Sequence, residues 1–89
     1  MKIEFSDDAE LQVQFAINYY DSINEILSNQ LLDDLEHALM DVVTSPLIFQ
    51  IRYRNVRLIH LQKFPFSVHF EVFDKNIQVY QFLHHKQFK

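Results

Sequence analysis

The chain has 89 residues, 48% of them apolar, and it contains nine Phe but no Cys and no Gly. This length supports one domain, 1–89, and a domain of this size buries only about 60% of the surface that its unfolded chain exposes, so its stability should be modest. The lack of Cys excludes disulfides and thiolate metal sites. No apolar run approaches the roughly 18 residues that a membrane span requires. We therefore expect a soluble, single-domain protein.

Charge is distributed unevenly along the chain. Residues 1–48 hold ten acidic residues and one Lys, a net charge of −9, whereas residues 49–89 hold seven basic and two acidic residues, a net charge of +5, and the two halves sum to −4. This asymmetry is compatible with acidic helices that neutralise a basic sheet, and equally with an anion-tolerant surface in the second half. The segment Met1–Glu4 lacks the basic and apolar regions of a secretion signal, which predicts a cytoplasmic protein.

The first half predicts one short strand followed by an amphipathic helix. Lys2–Phe5 alternates polar and apolar residues, which places Ile3 and Phe5 on the inner face of a strand. Ser6 is a typical helix N-cap, and three acidic residues occupy the first turn after it, where the helix dipole favours negative charge. The apolar stripe of this helix combines residues at spacing four with their neighbours: Leu11, Phe15, Tyr19 and Ile23, widened by Val13, Ala16, Ile17 and Tyr20.

A second helix is predicted from about Asn24 to Val43, and Ser45-Pro46 ends it. The connection between the helices is short, so they form an antiparallel hairpin packed on the sheet, with their acidic residues on outer positions. Because the run of apolar residues is too short for a stable coiled coil, we interpret its inner stripe as core. That stripe comprises Leu27, Leu31, Leu35, Leu39 and Val42.

The second half predicts strands. Leu47–Asn55 is a basic connector, Val56–Gln62 is a strand, and Phe64–His85 is a β-hairpin around the turn Asp74–Asn76. Period two places Phe66, Val68, Phe70 and Val72 on one face of the first hairpin strand, and in the second strand it separates Ile77, Val79 and Leu83 from Tyr80 and Phe82. The resulting order is β-α-α-β-β-β, an α+β fold in which a helical hairpin packs on a small antiparallel sheet.

Short segments in a fixed order carry a resemblance to a known family. They are Ile3-Glu4-Phe5-Ser6, Ala9-Glu10 and Tyr19-Tyr20 in the first half, and Ser45-Pro46, Phe49, Val56-Arg57, Phe64-Pro65-Phe66-Ser67-Val68, the Asp74–Asn76 turn and Leu83-His84 in the second. Together they resemble the ParE/RelE superfamily of bacterial toxins, and the first half looks like the ParE branch. The resemblance implies an α+β toxin of a type II toxin-antitoxin (plasmid stabilisation) system, encoded beside an antitoxin that wraps and silences it.

The superfamily contains two activities, and single residues separate them. The RelE branch cuts messenger RNA on the ribosome, and an arginine one residue after the aromatic that opens the strand following the Phe-Pro turn stabilises the charged phosphorane. That position is Ser67 in this chain, and the position of a second arginine falls on Gln87. The resemblance therefore gives no confident catalytic residue. If the protein is a nuclease, the candidates are Arg57 and His85.

The ParE branch inhibits growth by binding DNA gyrase, which requires no catalytic group, and Ser67 agrees with this branch. We therefore favour a ParE-like toxin over a ribosome-dependent mRNA endoribonuclease and over a non-toxic interaction domain derived from this fold. The implied partners are a cognate antitoxin and DNA gyrase, or the ribosome with its message, and a dimer or a toxin-antitoxin hetero-oligomer is compatible with either. We expect no membrane partner and no cofactor, and no metal, because His60 and His69 lack a third ligand.

Two groups of candidate binding residues follow. The target-binding candidates are the cations and imidazoles of the second half: Arg52, Arg54, Arg57, Lys63, His84, His85 and Lys86. The antitoxin-binding candidates are aromatic residues that so small a domain cannot all bury: Tyr19, Tyr20, Phe73, Tyr80 and Phe82. Ordinary solvated charges are the alternative for the first group. A place in the core is the alternative for the second, above all for Tyr19 and Phe82.

Overall fold

The computed structural model describes residues 1–86. Its elements, in chain order, are β1 (Lys2–Phe5), α1 (Asp7–Ile23), α2 (Glu25–Thr44), a 3-10 turn (Pro46–Ile48), β2 (Ile51–Tyr53), β3 (Val56–His60), β4 (Phe66–Val72) and β5 (Asn76–His84). The predicted α+β class and helical hairpin are confirmed. The prediction of a plain connector over 47–55 is wrong in one respect, because the connector contains β2.

The additional strand β2 has no sequence pattern of its own, since its three residues are all exposed. It forms because the turn after Tyr53 folds the connector back on β3, so that Ile51 pairs with Arg57 and Tyr53 pairs with Val56. Pairing along the sheet, rather than burial, therefore creates this strand.

The five strands form one sheet in the order β1-β5-β4-β3-β2. Neighbours from β2 to β5 are antiparallel. The first strand departs from the prediction, because β1 pairs with β5 in parallel, with Ile3 opposite Ile77 and Phe5 opposite Val79. The sheet is therefore mixed, and the long connection between the two parallel strands contains the α1–α2 hairpin followed by β2, β3 and β4.

One residue, Asn24, separates the two helices and caps both. Its N–H donates to the carbonyl oxygen of Tyr20 at 2.9 Å, and its Oδ1 accepts from the N–H of Ile26 at 2.9 Å. Ser6 caps the start of α1, where its Oγ accepts from the N–H of Ala9 at 3.0 Å. The predicted N-cap is thus confirmed, and the hairpin is tight because its connection satisfies the ends of both helices.

The prediction of the packed face of α1 is wrong at its centre. The α1 residues that pack in the core are Ala9, Val13, Ala16 and Tyr20, at spacings of four, three and four, together with Ile17. That alternation follows one side of a helix with 3.6 residues per turn, whereas a strict spacing of four drifts by about 40° at each step. The small side chains of the two alanines bring α1 close to the sheet. The line at spacing four consequently projects into solvent: Leu11, Phe15, Tyr19 and Ile23.

The second helix packs by the same alternation, and here the predicted core is largely confirmed. Leu27 and Leu39 lie at the margin of the packed face and are half-buried. The buried apolar residues of α2 are Leu31, Leu35, Ala38 and Val42.

The predicted faces hold for β4 but fail for the second half of β5. Ile77 and Val79 face the helices as expected, but so does Phe82, which is 1% exposed and stacks on Phe66 with 4.6 Å between ring centroids. Phe82 is therefore a core residue, and its assignment as an antitoxin contact is corrected.

A β-bulge causes this change of face. His69 pairs with Gln81 while the next residue, Phe70, pairs with Val79, so Tyr80 is an extra residue without a counterpart on β4. One extra residue reverses the side-chain alternation of everything that follows it.

The first turns of α1 supply hydrogen bonds at the bulge. The Ser6 hydroxyl donates to the carbonyl oxygen of Tyr80 at 2.8 Å, and the N–H of Ser6 donates to that of Val79 at 2.9 Å. The Oε1 of Gln12 accepts from the N–H of Phe82 at 2.7 Å. The bulge therefore fixes the position of α1 along β5.

A buried carboxylate organises the loop between β3 and β4. Asp34 of α2 is 5% exposed, and it accepts the N–H groups of Gln62, Lys63 and Phe64 at 3.1, 2.8 and 3.0 Å. The expectation that the acids of α2 lie only on outer positions is wrong for Asp34. Its partners are backbone groups, which a side-chain pattern cannot reveal.

We expect Asp34→Ala to lower the free energy of unfolding by about 2 to 4 kcal/mol, because three donors lose a charged acceptor. Urea denaturation measures the change. The control is Asp33→Ala, which removes an exposed carboxylate from the same helix turn and should leave stability within about 0.5 kcal/mol of wild type. Equal effects of the two substitutions would contradict the role assigned to Asp34.

Candidate functional site

The most exposed apolar surface of α1 is the line formed by Leu11, Phe15, Tyr19 and Ile23, here called the α1 ridge. These side chains are between 58% and 78% exposed. Single exposed apolar residues are ordinary, but four large ones aligned along one helix form a contiguous patch of the kind that marks an interaction surface.

Cavities flank the α1 ridge on two sides. A groove of about 660 Å³, here called the α1–β5 groove, lies between α1 and the end of β5, and its lining includes Phe15, Tyr19, His84 and Lys86. A second cavity of about 720 Å³ lies near the start of the helix, where Asp7 and Glu10 line it together with Leu11. The ridge is therefore bordered by Lys86 at the α1–β5 groove, and by Asp7 and Glu10 near the start of the helix.

The other candidate surface lies on the sheet face turned away from the helices. It comprises Tyr53, His60, Ser67, His69 and His85, here called the histidine face. His60 Nδ1 lies 2.5 Å from the hydroxyl of Ser67, and the rings of His60 and His85 meet edge-on at 5.0 Å between centroids. His69 Nδ1 lies 3.0 Å from the hydroxyl of Tyr53. Strand pairing thus gathers three imidazoles that are far apart in the sequence.

The environment disfavours protonation of two of these imidazoles. Burial lowers the pKa of His60 below its ordinary value of 6.5, and the nearby His85 and Arg52 lower it further. Burial also lowers the pKa of His69, with a smaller contribution from His60. Both rings are therefore predominantly neutral at pH 7, when they act as hydrogen-bonding groups rather than as fixed cations.

A solved structure shares this architecture. The chain is similar to a chain of the chromosomal ParDE TA system from P. aeruginosa, with a TM-score of 0.78 and 19% identity, over 94% of this chain and 95% of that chain. The chain therefore has the same α+β fold as that ParDE chain, in agreement with the RelE/ParE-like fold predicted from the sequence. No protein-family model matches the sequence, and no curated protein matches it.

Within this fold, the position where the sequence resemblance implies a phosphate-binding arginine is buried. Ser67 is 0% exposed and is hydrogen-bonded to His60. The second implied position, Gln87, lies outside the described residues.

The nuclease candidates Arg57 and His85 are not brought together. Arg57 lies opposite Phe70 on the helix-facing side of the sheet, where its guanidinium donates to the carbonyl oxygens of Phe49 at 2.6 Å and Leu47 at 3.4 Å. His85 lies beyond the other end of β4, where its N–H donates to the carbonyl oxygen of Pro65 at 2.8 Å, about 16 Å from Arg57 along that strand at 3.3 Å per residue, and its ring is on the opposite face. Arg57 holds the connector in place and is a structural residue.

The remaining target-binding candidates divide between surfaces. Arg52 and His85 lie at the histidine face, whereas His84 and Lys86 line the α1–β5 groove. The last two candidates lie in exposed turns: Arg54 after β2 and Lys63 after β3.

The antitoxin-binding candidates also do not form one surface. Tyr19 is on the α1 ridge, and Tyr20 packs edge-on against it at 5.1 Å. Phe73 lies at the far end of the sheet, beside Met1 and Leu47. Tyr80 is the bulge residue, and its hydroxyl donates to Glu71 at 2.8 Å.

The sequence does not identify most of the α1 ridge as a surface, because Leu11, Phe15 and Ile23 belong to the apolar stripe of an amphipathic helix, which is expected to face the sheet. The signal was present as the spacing of the two alanines, since small residues commonly mark close packing. Among residues 1–86, no group of three or more potential ligands is arranged to hold a metal ion. No helix in that part of the chain has the length and hydrophobicity of a membrane span.

The lowered pKa values of His60 and His69 predict acid sensitivity. Below about pH 6.5 the unfolded chain binds more protons than the folded one, so the free energy of unfolding should fall as the pH decreases. In His69→Gln this fall between pH 7 and 5 should be smaller than in wild type, as measured by urea denaturation at each pH. His37→Gln, an exposed position on α2, should retain the wild-type dependence. An unchanged dependence in His69→Gln would refute this prediction.

Arg54 has a strained backbone, because it alone among residues 1–86 has a positive φ, 50°. A side chain beyond Cα is unfavourable in this conformation, so Arg54→Gly should raise the free energy of unfolding by about 0.5 to 1 kcal/mol. Arg52→Gly, in the neighbouring strand, should lower it. Thermal or urea denaturation tests both, and a loss of stability in Arg54→Gly would count against strain at this turn.

Proposed function

We propose that the protein is the toxin of a type II toxin-antitoxin pair and that it acts in the cytoplasm by binding its target, in the manner of the ParE branch. The observation that carries the proposal is the α1 ridge, a row of large exposed apolar side chains on a chain with the ParE/RelE-type fold. Such a row lowers the solubility of an isolated monomer and is explained if a partner covers it. The antitoxin is that partner.

Binding rather than catalysis is supported by the residues at the implied nuclease positions. Ser67 is fully buried, and the guanidinium of Arg57 is hydrogen-bonded to backbone carbonyls. Neither is available to stabilise a phosphorane charge. DNA gyrase is the target that the ParE resemblance implies, and a plasmid stabilisation system is the genetic context that agrees with it.

A ribosome-dependent endoribonuclease is the second candidate, and one observation favours it. His60 and His85 are 5.0 Å apart, and Arg52 is near enough to lower the pKa of His60. Two imidazoles and a guanidinium are a suitable set for a base, an acid and a phosphate-binding group. This constellation differs from the Arg57 and His85 pair inferred from the sequence.

Induced expression distinguishes these activities. We expect growth arrest with an SOS response, gyrase cleavage complexes trapped by the purified protein, and intact messages. Messages should likewise stay intact in cells that express the double variant His60→Ala/His85→Ala. Cuts at codon edges in translated messages, lost in that variant, would instead establish the nuclease, and no growth effect would identify a non-toxic interaction domain.

The antitoxin supplies the second arm of this experiment. Co-expression of the antitoxin encoded in the neighbouring reading frame should restore growth to cells that express wild type but not to cells that express Phe15→Glu, because a charge in the middle of the α1 ridge opposes apolar burial. The matched control is Asn29→Glu, which adds the same charge at an exposed position on α2. Rescue of both variants would remove the ridge from the antitoxin interface.

A further inference from the structure

The α1 ridge continues into a charged residue at its start. Asp7 lies four residues before Leu11, and therefore begins the same inclined row of residues at spacing four that continues through Phe15 and Tyr19. Asp8 and Glu10 add two further acidic residues to this first turn. The start of the ridge is therefore strongly acidic.

The later part of the ridge is bordered by the cationic residue Lys86. Lys86 and His84 line the α1–β5 groove together with Phe15 and Tyr19, and no Asp or Glu lines it among the described residues. The N–H of Lys86 donates to His84 Nδ1 at 3.0 Å, and the ring of His84 packs edge-on against Phe66 at 5.2 Å. These contacts hold His84 and the cationic Lys86 at the groove.

This surface is complementary to itself. Asp7 and Tyr19 are twelve residues apart, about 18 Å along the helix. If a second α1 lies antiparallel across the first, its acidic start meets the cationic border, and the reverse contact forms at the same time. A two-fold axis between Leu11 and Phe15 therefore satisfies both charged borders and brings the apolar residues together.

The spacing of the ridge also suits such a contact. Side chains at spacing four form the rows that interdigitate when two helices pack at about −50°, the commonest packing class in globular proteins. The four side chains and their surroundings would cover roughly 500 Å² on each protomer, about 1,000 Å² in total, which lies at the lower limit of specific interfaces. The contact is thus weak and reversible.

We propose that two copies of the chain associate through the α1 ridge about a two-fold axis, with Asp7 of one protomer beside Lys86 of the other. The dimer covers the ridge in the absence of other partners. The dimer itself does not depend on the proposed function. Its role in regulation rests on that function, because the antitoxin and the second copy would compete for the α1 ridge. Dimer formation then withdraws toxin from the antitoxin, and antitoxin binding produces separated toxin chains.

Sedimentation equilibrium at protein concentrations from about 1 to 500 μM tests the dimer. Wild type should show a reversible monomer–dimer equilibrium. Phe15→Glu should be monomeric throughout the range, whereas Asn29→Glu should behave as wild type. A monomeric wild type, or a dimer that survives Phe15→Glu, would overturn the proposal.

Charge exchange tests the orientation of the two copies. Asp7→Lys and Lys86→Glu should each weaken the dimer about tenfold, because each places like charges at both symmetry-related contacts. An equimolar mixture of the two variants should recover the dimer. In the mixed dimer the introduced lysine of one variant faces the introduced glutamate of the other, while the remaining contact keeps its native charges. Controls are Glu36→Lys and Lys63→Glu, at exposed positions away from the ridge.

Failure of the mixture to recover the dimer would overturn the antiparallel arrangement. Circular dichroism of each variant verifies that it is folded, and the double variant Asp7→Lys/Lys86→Glu, which should dimerise by itself, provides an independent check on folding and orientation. Growth assays distinguish the two proposals. A protein that arrests growth as a strict monomer would support the proposed function and overturn the dimer, whereas a dimer without toxicity would support the dimer and overturn the proposed function.

Discussion

The close approach of α1 to the sheet is the constraint on which the rest of the molecule depends. Ala9 and Ala16 are buried beside the sheet, so the large side chains of the α1 ridge cannot take their places without lifting the helix from the sheet. The rotation that buries the alanines also exposes Leu11, Phe15, Tyr19 and Ile23. The rotation of α1 about its axis therefore determines both which residues enter the core and which residues form the candidate binding surface.

The bulge in β5 adjusts the sheet to this helix. It turns Phe82 inward beneath α1. Ser6 is hydrogen-bonded to the backbone of Tyr80, and Gln12 to the backbone of Phe82. The same change of alternation places His84 and Lys86 at the groove and sends His85 to the opposite face, beside His60. The end of β5 thus contributes to both candidate surfaces of the protein, although they lie on opposite sides of the sheet.

The sequence was sufficient for features that depend on local physics. The cap at Ser6, both helices and the hairpin around Asp74–Asn76 follow from side-chain hydrogen bonds, periodicity and turn preference, and all of them are present. It was insufficient where distant pairing decides the outcome. The bulge at Tyr80 depends on α1, β2 depends on β3, and the carboxylate of Asp34 is buried because a loop about 30 residues later supplies its donors. The prediction of the candidate site is wrong for the same reasons. An incorrect strand register predicts Phe82 at the surface, and an incorrect helix rotation predicts Phe15 on the packed face.

The parallel pair of β1 and β5 joins the first strand of the chain to the last. Ser6 and Tyr80, which are hydrogen-bonded, are separated by 74 positions, and closing so long a loop is the entropically costly step of assembly. During synthesis, the surface on which α1 packs is therefore absent until β5 has been translated. Incomplete translation products carry the helical hairpin without its support, so the ordered ridge, and any binding that needs it, is a property of the finished chain alone.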